Sequence, residues 1–188
     1  QTCCGQPAYN SGYRLEAAAA ARHFIAIFEG AGTIVCPSGS CVAMVRHHYP
    51  DLFRDEPGWR ARAEAVAAKT FEFTEYLVDV RGVAAGPDAP GLGARWPGKL
   101  AYHASCHLLR SLGVDRQPRA LLASVRDAEI VDLPGHDECC GFGGVFSLKY
   151  PQISCRMTER KVERILATGA SYVTSGDLGC LLNIGGLI

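Results

Sequence analysis

The sequence predicts an α/β protein of two pseudo-symmetric parallel-sheet halves, each carrying a Cys-Cys-Gly motif. Three observations carry that prediction. The doublet Cys3-Cys4-Gly5 recurs as Cys139-Cys140-Gly141, and a lone cysteine, Cys41 or Cys180, follows each at a similar distance. After each doublet the chain repeats one order of loop, helix-forming stretch, short apolar run and turn, so a single unit is used twice. Segments with strand and helix character alternate, the pattern of a largely parallel sheet.

In the first half, a Gly- and Asn-containing loop over residues 6–12 leads to an Ala-rich helix over 14–28, with Asn10 or Ser11 as its cap and Gly30 as its stop. Residues 33–35 read as a short buried strand, and Cys36-Pro37-Ser38-Gly39-Ser40-Cys41 as a turn into the next helix. Residues 59–69 and 71–80 space their apolar side chains helically, with Glu and Arg on the other face. Residues 82–98 hold three prolines and five glycines, a junction between a first repeat over 1–81 and a second over 99–188.

The second half opens with a strand over 100–103 that passes at Cys106 into a helix over 107–112. A helix over 118–126 and a strand over 129–133 then deliver Pro134-Gly135-His136 to the doublet. Beyond Phe142-Gly143-Gly144, a helix over 151–167, a break at Gly169, a strand over 171–174 and a turn over 175–180 complete the copy. Cys41, Cys106, Cys139 and Cys180 all fall beyond the carboxyl ends of strands, where parallel sheets gather their ligands. Because Gln1 stands almost on a doublet, a preceding segment that supplies the first strand of the first half is expected.

Composition narrows the function. Nine cysteines in 188 residues exceed ordinary core use and fall short of a small disulfide scaffold. No charged-then-apolar leader and no apolar run of membrane-spanning length stand in the sequence, which predicts a cytoplasmic protein without a membrane span. With 19 basic and 19 acidic residues, no global field favours nucleic acid. Without a G-x-G-x-x-G after a strand, no flavin or nicotinamide site is expected either.

The cysteines themselves point to metal chemistry. Neighbouring residues make a strained disulfide, whereas adjacent thiolates with single thiolates arriving from elsewhere suit an iron–sulfur cluster. Cys106, Cys139, Cys140 and Cys180 form one such set, and Cys3, Cys4 and Cys41 a second. A structural zinc on the same thiolates, in a protein without redox chemistry, is the competing reading. Cys36 reads as a small buried residue beside its turn or as a substitute ligand, and Cys155 as a core-packing thiol inside a helix. His107 and His136, with His103 behind them, flank the sulfurs as candidate N–H donors, while His23, His47 and His48 read as solvated helix positions. Asp177 reads as a helix cap, and Gly141 as a backbone N–H with close access to sulfur.

These segments resemble a known family. Cys3-Cys4-Gly5-Gln6-Pro7, Pro37-Ser38-Gly39-Ser40-Cys41, His103-Ala104-Ser105-Cys106-His107, Cys139-Cys140-Gly141-Phe142-Gly143-Gly144 and Gly176-Asp177-Leu178-Gly179-Cys180 together resemble the cysteine-rich CCG-domain proteins. More distant likenesses are the cysteine-rich component of heterodisulfide reductase and the iron–sulfur component of glycolate oxidase. The resemblance implies an iron–sulfur electron-transfer subunit of a bacterial oxidoreductase acting in L-lactate oxidation to pyruvate. Its partners would be other iron–sulfur and accessory subunits of a lactate-oxidising complex. It also implies that each repeat begins with a cysteine ahead of its doublet, a place that Cys106 fills in the second copy. Where the heterodisulfide reductase component ends each repeat in Cys-x-x-Cys, this chain has Ser38-x-x-Cys41 and Asp177-x-x-Cys180. Four cysteines per repeat favour an ordinary [4Fe–4S] cluster, one expected and a second possible, and weaken a thiol–disulfide reductase reading.

Overall fold

The computed structural model describes residues 2–188 and divides them into two compact units, one extending to Phe73 and the other running from Thr74 to Ile188. Both are α/β, and all three strand pairings are parallel. The Pro- and Gly-rich segment 82–98 lies within the second unit.

The first unit places its doublet directly before α1 (Gln6–Asn10) and α2 (Arg14–Phe28). The long helix has the bounds its Ala-rich pattern predicts, but Tyr13 and Glu29 flank it and no side chain caps its start. Strand β1 (Ile34–Cys36) leads through Ser38 into α3 (Gly39–Ala43), which continues as a π-helical stretch over Met44–His48. After α4 (Tyr49–Leu52) and α5 (Pro57–Ala67), strand β2 (Thr70–Glu72) pairs with β1, Ile34 opposite Thr70. The helix expected over 71–80 is therefore wrong at its start. Thr70 and Glu72 are each 1% exposed, so this strand buries its polar residues, inverting the alternation that marks a strand. Ala21, Ile25, Met44, Val45, Tyr49, Phe53 and Val66 form the core, with Cys4 built into it.

The chain enters the second unit through α6 (Phe73–Glu75) and a π-helical turn over Tyr76–Val80. Strand β3 (Arg95–His103) is central in a three-stranded sheet of order β4-β3-β5, and it starts five residues before the predicted strand. A second π-helical turn, His107–Ser111, follows Cys106 at once. Helix α7 (Arg116–Ala123) and strand β4 (Arg126–Val131) come next, then α8 (Phe146–Lys149), α9 (Pro151–Ala167), β5 (Tyr172–Ser175) and α10 (Leu178–Gly185). Helix α9 carries Pro151 at its first position, as its fixed φ favours. The core of this unit joins Ala101, Leu133, Val162, Ile165 and Ile184 to Cys140 and Cys180. Among the described residues, no helix is long and apolar enough to cross a membrane.

Candidate metal centres

All nine cysteines are free thiols, and the fold gathers most of them into two groups, one in each unit. In the first, the Cys4 thiol donates to the Cys41 sulfur at 3.4 Å, while the Cys36 thiol beside them donates to the Ser38 carbonyl at 3.9 Å. The neighbouring thiols of Cys36 and then Cys4 hold Cys41 well below the ordinary thiol range, while Cys41 and burial push those two up. Cys3, the exposed member of the doublet, accepts the Gly5 backbone N–H at 3.4 Å.

Local backbone chemistry fixes this arrangement. Gly5 has φ 81°, a left-handed conformation that favours glycine, and its α-carbon packs against α2: an added Cβ would stand 3.1 Å from the Ala17 carbonyl oxygen. The Cys4 carbonyl accepts from the buried Tyr49 hydroxyl at 3.0 Å. Ser38 caps α3, its Oγ accepting the Cys41 N–H at 3.4 Å, so Cys41 begins a helix at the end of β1.

The second group repeats these devices. Gly141, φ 92°, donates its N–H to Cys139 Sγ at 3.4 Å, and an added Cβ would lie 2.7 Å from the Ser154 carbonyl oxygen on α9. The Cys140 carbonyl accepts from Thr158 Oγ1 at 3.0 Å and Asn183 Nδ2 at 3.1 Å. Asp177 caps α10, its Oδ1 accepting the Gly179 N–H at 3.1 Å, and so sets Cys180 on the first turn beyond β5. The neighbouring thiols of Cys106 and then Cys140 hold Cys139 low. Cys140 and the neighbouring His103 bring Cys180 down to about 6 against the opposing effect of burial. Cys106 and Cys140 are themselves pushed up by their sulfur partners and by burial. Cys106, Cys139, Cys140 and Cys180 therefore form one continuous chain of interacting sulfurs.

Polar groups around the sulfurs differ from those the sequence picks out. The His107 Nδ1 lies 3.8 Å from Cys106 Sγ. His136 acts through its backbone: its carbonyl lies 3.0 Å from His103 Nδ1 and accepts the Ala104 N–H at 3.1 Å. His103 is the histidine the fold carries inward. It is fully buried at the end of β3, and one of its ring nitrogens lies within 4.8 Å of both the Cys140 and Cys180 sulfurs. Lys161, 2% exposed, donates to the Gly135 carbonyl; burial pushes its pKa down, while Glu138 and Cys140 draw it back up.

Cys155 is exposed, not the core thiol expected, because α9 turns Ser154, Thr158, Lys161, Val162 and Ile165 inward. Three of those five are polar and serve the doublet loop, with Ser154 Oγ donating to the Gly141 carbonyl at 2.9 Å.

The donor set fits an iron–sulfur cluster. Soft thiolates select thiophilic metals, the sulfurs lie at strand ends between core and surface, and a glycine N–H and a buried ammonium offset their negative charge. Zinc would take the same thiolates, and bound sulfide is what separates the two.

Comparison with known proteins agrees with the motifs. A family model described as a cysteine-rich domain matches residues 1–46 and 100–185. Lactate utilization protein A of an Exiguobacterium species is 52% identical, the alignment covering 99% of this chain and 74% of that protein. Its namesake in Lysinibacillus sphaericus is 48% identical over all of this chain and 79% of its own length. That of Bacillus cereus is 50% identical, with 76% of its length covered. With both doublets inside the matched segments, the chain belongs to the cysteine-rich CCG-domain family.

Proposed function

We propose that this protein is an iron–sulfur electron-transfer subunit of a lactate-utilising oxidoreductase. The observation that supports it most is the convergence of Cys106, Cys139, Cys140 and Cys180, brought from three separate segments of the second unit. These four would hold a [4Fe–4S] cluster, and Cys3, Cys4 and Cys41 would contribute to a second. When bound, such a cluster supplies one-electron transfer.

The protein's own residues supply the setting. Gly141 and Gly5 aim N–H groups at the first sulfur of each doublet and stabilise negative charge there. Thr158, Asn183 and Tyr49 fasten the doublet carbonyls, fixing where the sulfurs point. Lactate chemistry comes to this chain from the names of its relatives, and removal of hydride or electrons from the substrate falls to partner subunits.

The test is anaerobic reconstitution of the full chain, followed by iron and sulfide counting and EPR of the reduced protein. Stoichiometric iron and sulfide with a cluster signal are expected. Colourless protein that takes up zinc and no sulfide would reject the redox reading.

A further inference from the structure

We infer that the ammonium of Lys161 is the charge-compensating group of the second centre, placed behind the doublet to stabilise the anionic thiolate site and raise its reduction potential. This deepens the cluster reading and rests on it for the potential, while the charge compensation holds for any metal that the thiolates bind.

Lys161 stands where lysines rarely do. It is 2% exposed, on the inner face of α9 with Ser154, Thr158, Val162 and Ile165. A cation taken out of water is costly unless an anion answers it. Among the described residues Lys161 has no ion pair, and its hydrogen bond goes to the Gly135 carbonyl, which carries no net charge. Three anionic groups act on it, Glu138, Cys140 and Asp137. Glu138 is already held by Arg160 at 2.8 Å and Arg164 at 2.6 Å, and Asp137 is exposed to water. That leaves Cys140 once its sulfur is a metal-bound thiolate. Thr158, which donates to the Cys140 carbonyl, stands three residues before Lys161 and shares its helix face.

The first repeat shows that helix packing asks for no cation at this place. Gly5 approaches α2 at Ala17 and Ala20, just as Gly141 approaches α9 at Ser154 and Met157. Seven residues beyond Ala17 is Phe24, and seven beyond Ser154 is Lys161. Phe24 packs on the apolar core, edge to face with Tyr49 at 5.8 Å. An aromatic ring thus fills in one unit the position that an ammonium fills in the other. The lysine therefore answers a charge at the second centre.

The sign of the effect follows from charge alone. Thiolates around an iron–sulfur cluster leave the site net negative, and one added electron makes it more so. A fixed cation nearby stabilises the reduced form more than the oxidised one, so it raises the potential. No proton leaves Lys161 in that step.

The experiment has two arms. In the first, the reduced, metal-free full chain is titrated with zinc, without oxygen and against a competing chelator. Lys161→Met should weaken zinc binding at one centre by about tenfold, and Lys161→Arg, which keeps the charge, should recover most of that loss. In the second, the iron–sulfur protein is titrated electrochemically under EPR, the wave that Cys140→Ser removes being that of the second centre. Lys161→Met should lower the reduction equilibrium constant of that wave about tenfold, a fall of about 59 mV for one electron, and Lys161→Arg should restore it. An unmoved zinc affinity or an unmoved potential in folded, loaded Lys161→Met overturns the inference. An equal fall in Lys161→Arg overturns it too, because packing and not charge would then be the cause. If Lys161→Met does not fold, Lys161→Gln, neutral and still a donor, takes its place; failure of both assigns the lysine to the fold and also overturns the inference. Wild-type protein that binds zinc and takes up no sulfide sinks the cluster reading, and the zinc arm alone then judges Lys161.

Discussion

The two cysteine centres share a backbone and differ in what surrounds it. In both, the residue after the doublet is a left-handed glycine whose N–H meets the first sulfur at 3.4 Å. In both, the second cysteine's carbonyl accepts from a buried hydroxyl, Tyr49 in one and Thr158 in the other. The caps before Cys41 and Cys180 adopt nearly the same conformation, φ −149° and ψ 113° at Ser38, φ −148° and ψ 116° at Asp177. The surroundings diverge. The first centre adds a thiol, Cys36, and packs on Tyr49, while the second adds His103 and a polar network of Thr158, Asn183 and Ser154. The backbone thus positions sulfur in both units, while the neighbours individualise each centre.

The strongest way to break the comparison is to remove the buried doublet sulfurs one at a time. In anaerobically reconstituted protein, Cys140→Ser should cost at least about half the iron, since one of two centres would be lost. It should also lower stability by about 3 kcal/mol, the linkage expected for a ligand at a hundred times its dissociation constant, with a smaller change in metal-free protein. Cys4→Ser should do the same to the other centre and leave the second one loaded. Identical residual spectra from the two variants would show that the centres are not distinct.

A second pair of substitutions measures how tightly each doublet is seated. Gly141→Ala forces a Cβ to 2.7 Å from the Ser154 carbonyl oxygen and should cost about 2–3 kcal/mol in thermal melts. Gly5→Ala meets its neighbours at 3.1 Å and should cost about 1–2 kcal/mol, chiefly from its positive φ. Reversal of that order would mean that α9 yields more readily than α2.

The carbonyl clamps come next. Tyr49→Phe leaves the Cys4 carbonyl without its hydroxyl donor and should cost about 1–2 kcal/mol. Thr158→Val should cost about 1 kcal/mol, because Asn183 still reaches the Cys140 carbonyl at 3.1 Å. Urea titrations of the two variants compare them directly. The smallest effect belongs to Cys155→Ser. An exposed thiol away from both centres should change stability by no more than about 0.5 kcal/mol and leave iron content untouched. Iron loss from that variant would mean that the ligands lie elsewhere.

Much of this organisation is legible in the sequence. Helices over 14–28 and 151–167 stand out because each is long, rich in helix formers and bounded by loop residues. The grouping of Cys106 with the second doublet and Cys180 follows from strands that alternate with helices and end beside a cysteine. Strand β2 is not legible, since three residues cannot establish a period and Thr70-Phe71-Glu72 buries the wrong ones. The outward position of Cys155 is hidden for a related reason. The inner face of α9 carries Ser154, Thr158 and Lys161 because it must satisfy backbone carbonyls, not because it fills an apolar core. His103 ranks behind His107 and His136 in the sequence because a histidine three residues before a cysteine looks like any flanking residue. Its one available signal is its place at the end of an otherwise apolar strand segment, Leu100-Ala101-Tyr102, where a polar side chain needs a purpose.

The fastening of the Cys140 carbonyl bears on how quickly charge could enter or leave this centre. Dipoles that are free to turn must reorganise when a nearby group gains an electron, and that reorganisation sets part of the barrier to transfer. Here the peptide after Cys140 is held from two helices at once, by Thr158 of α9 and Asn183 of α10, and those two side chains are themselves joined at 2.8 Å. Dipoles fixed in advance respond little to a change of charge. Tyr49 holds the other doublet by a single hydroxyl. The second centre therefore has the stiffer polar frame and, as the electron carrier proposed, would have the smaller rearrangement to make with each electron.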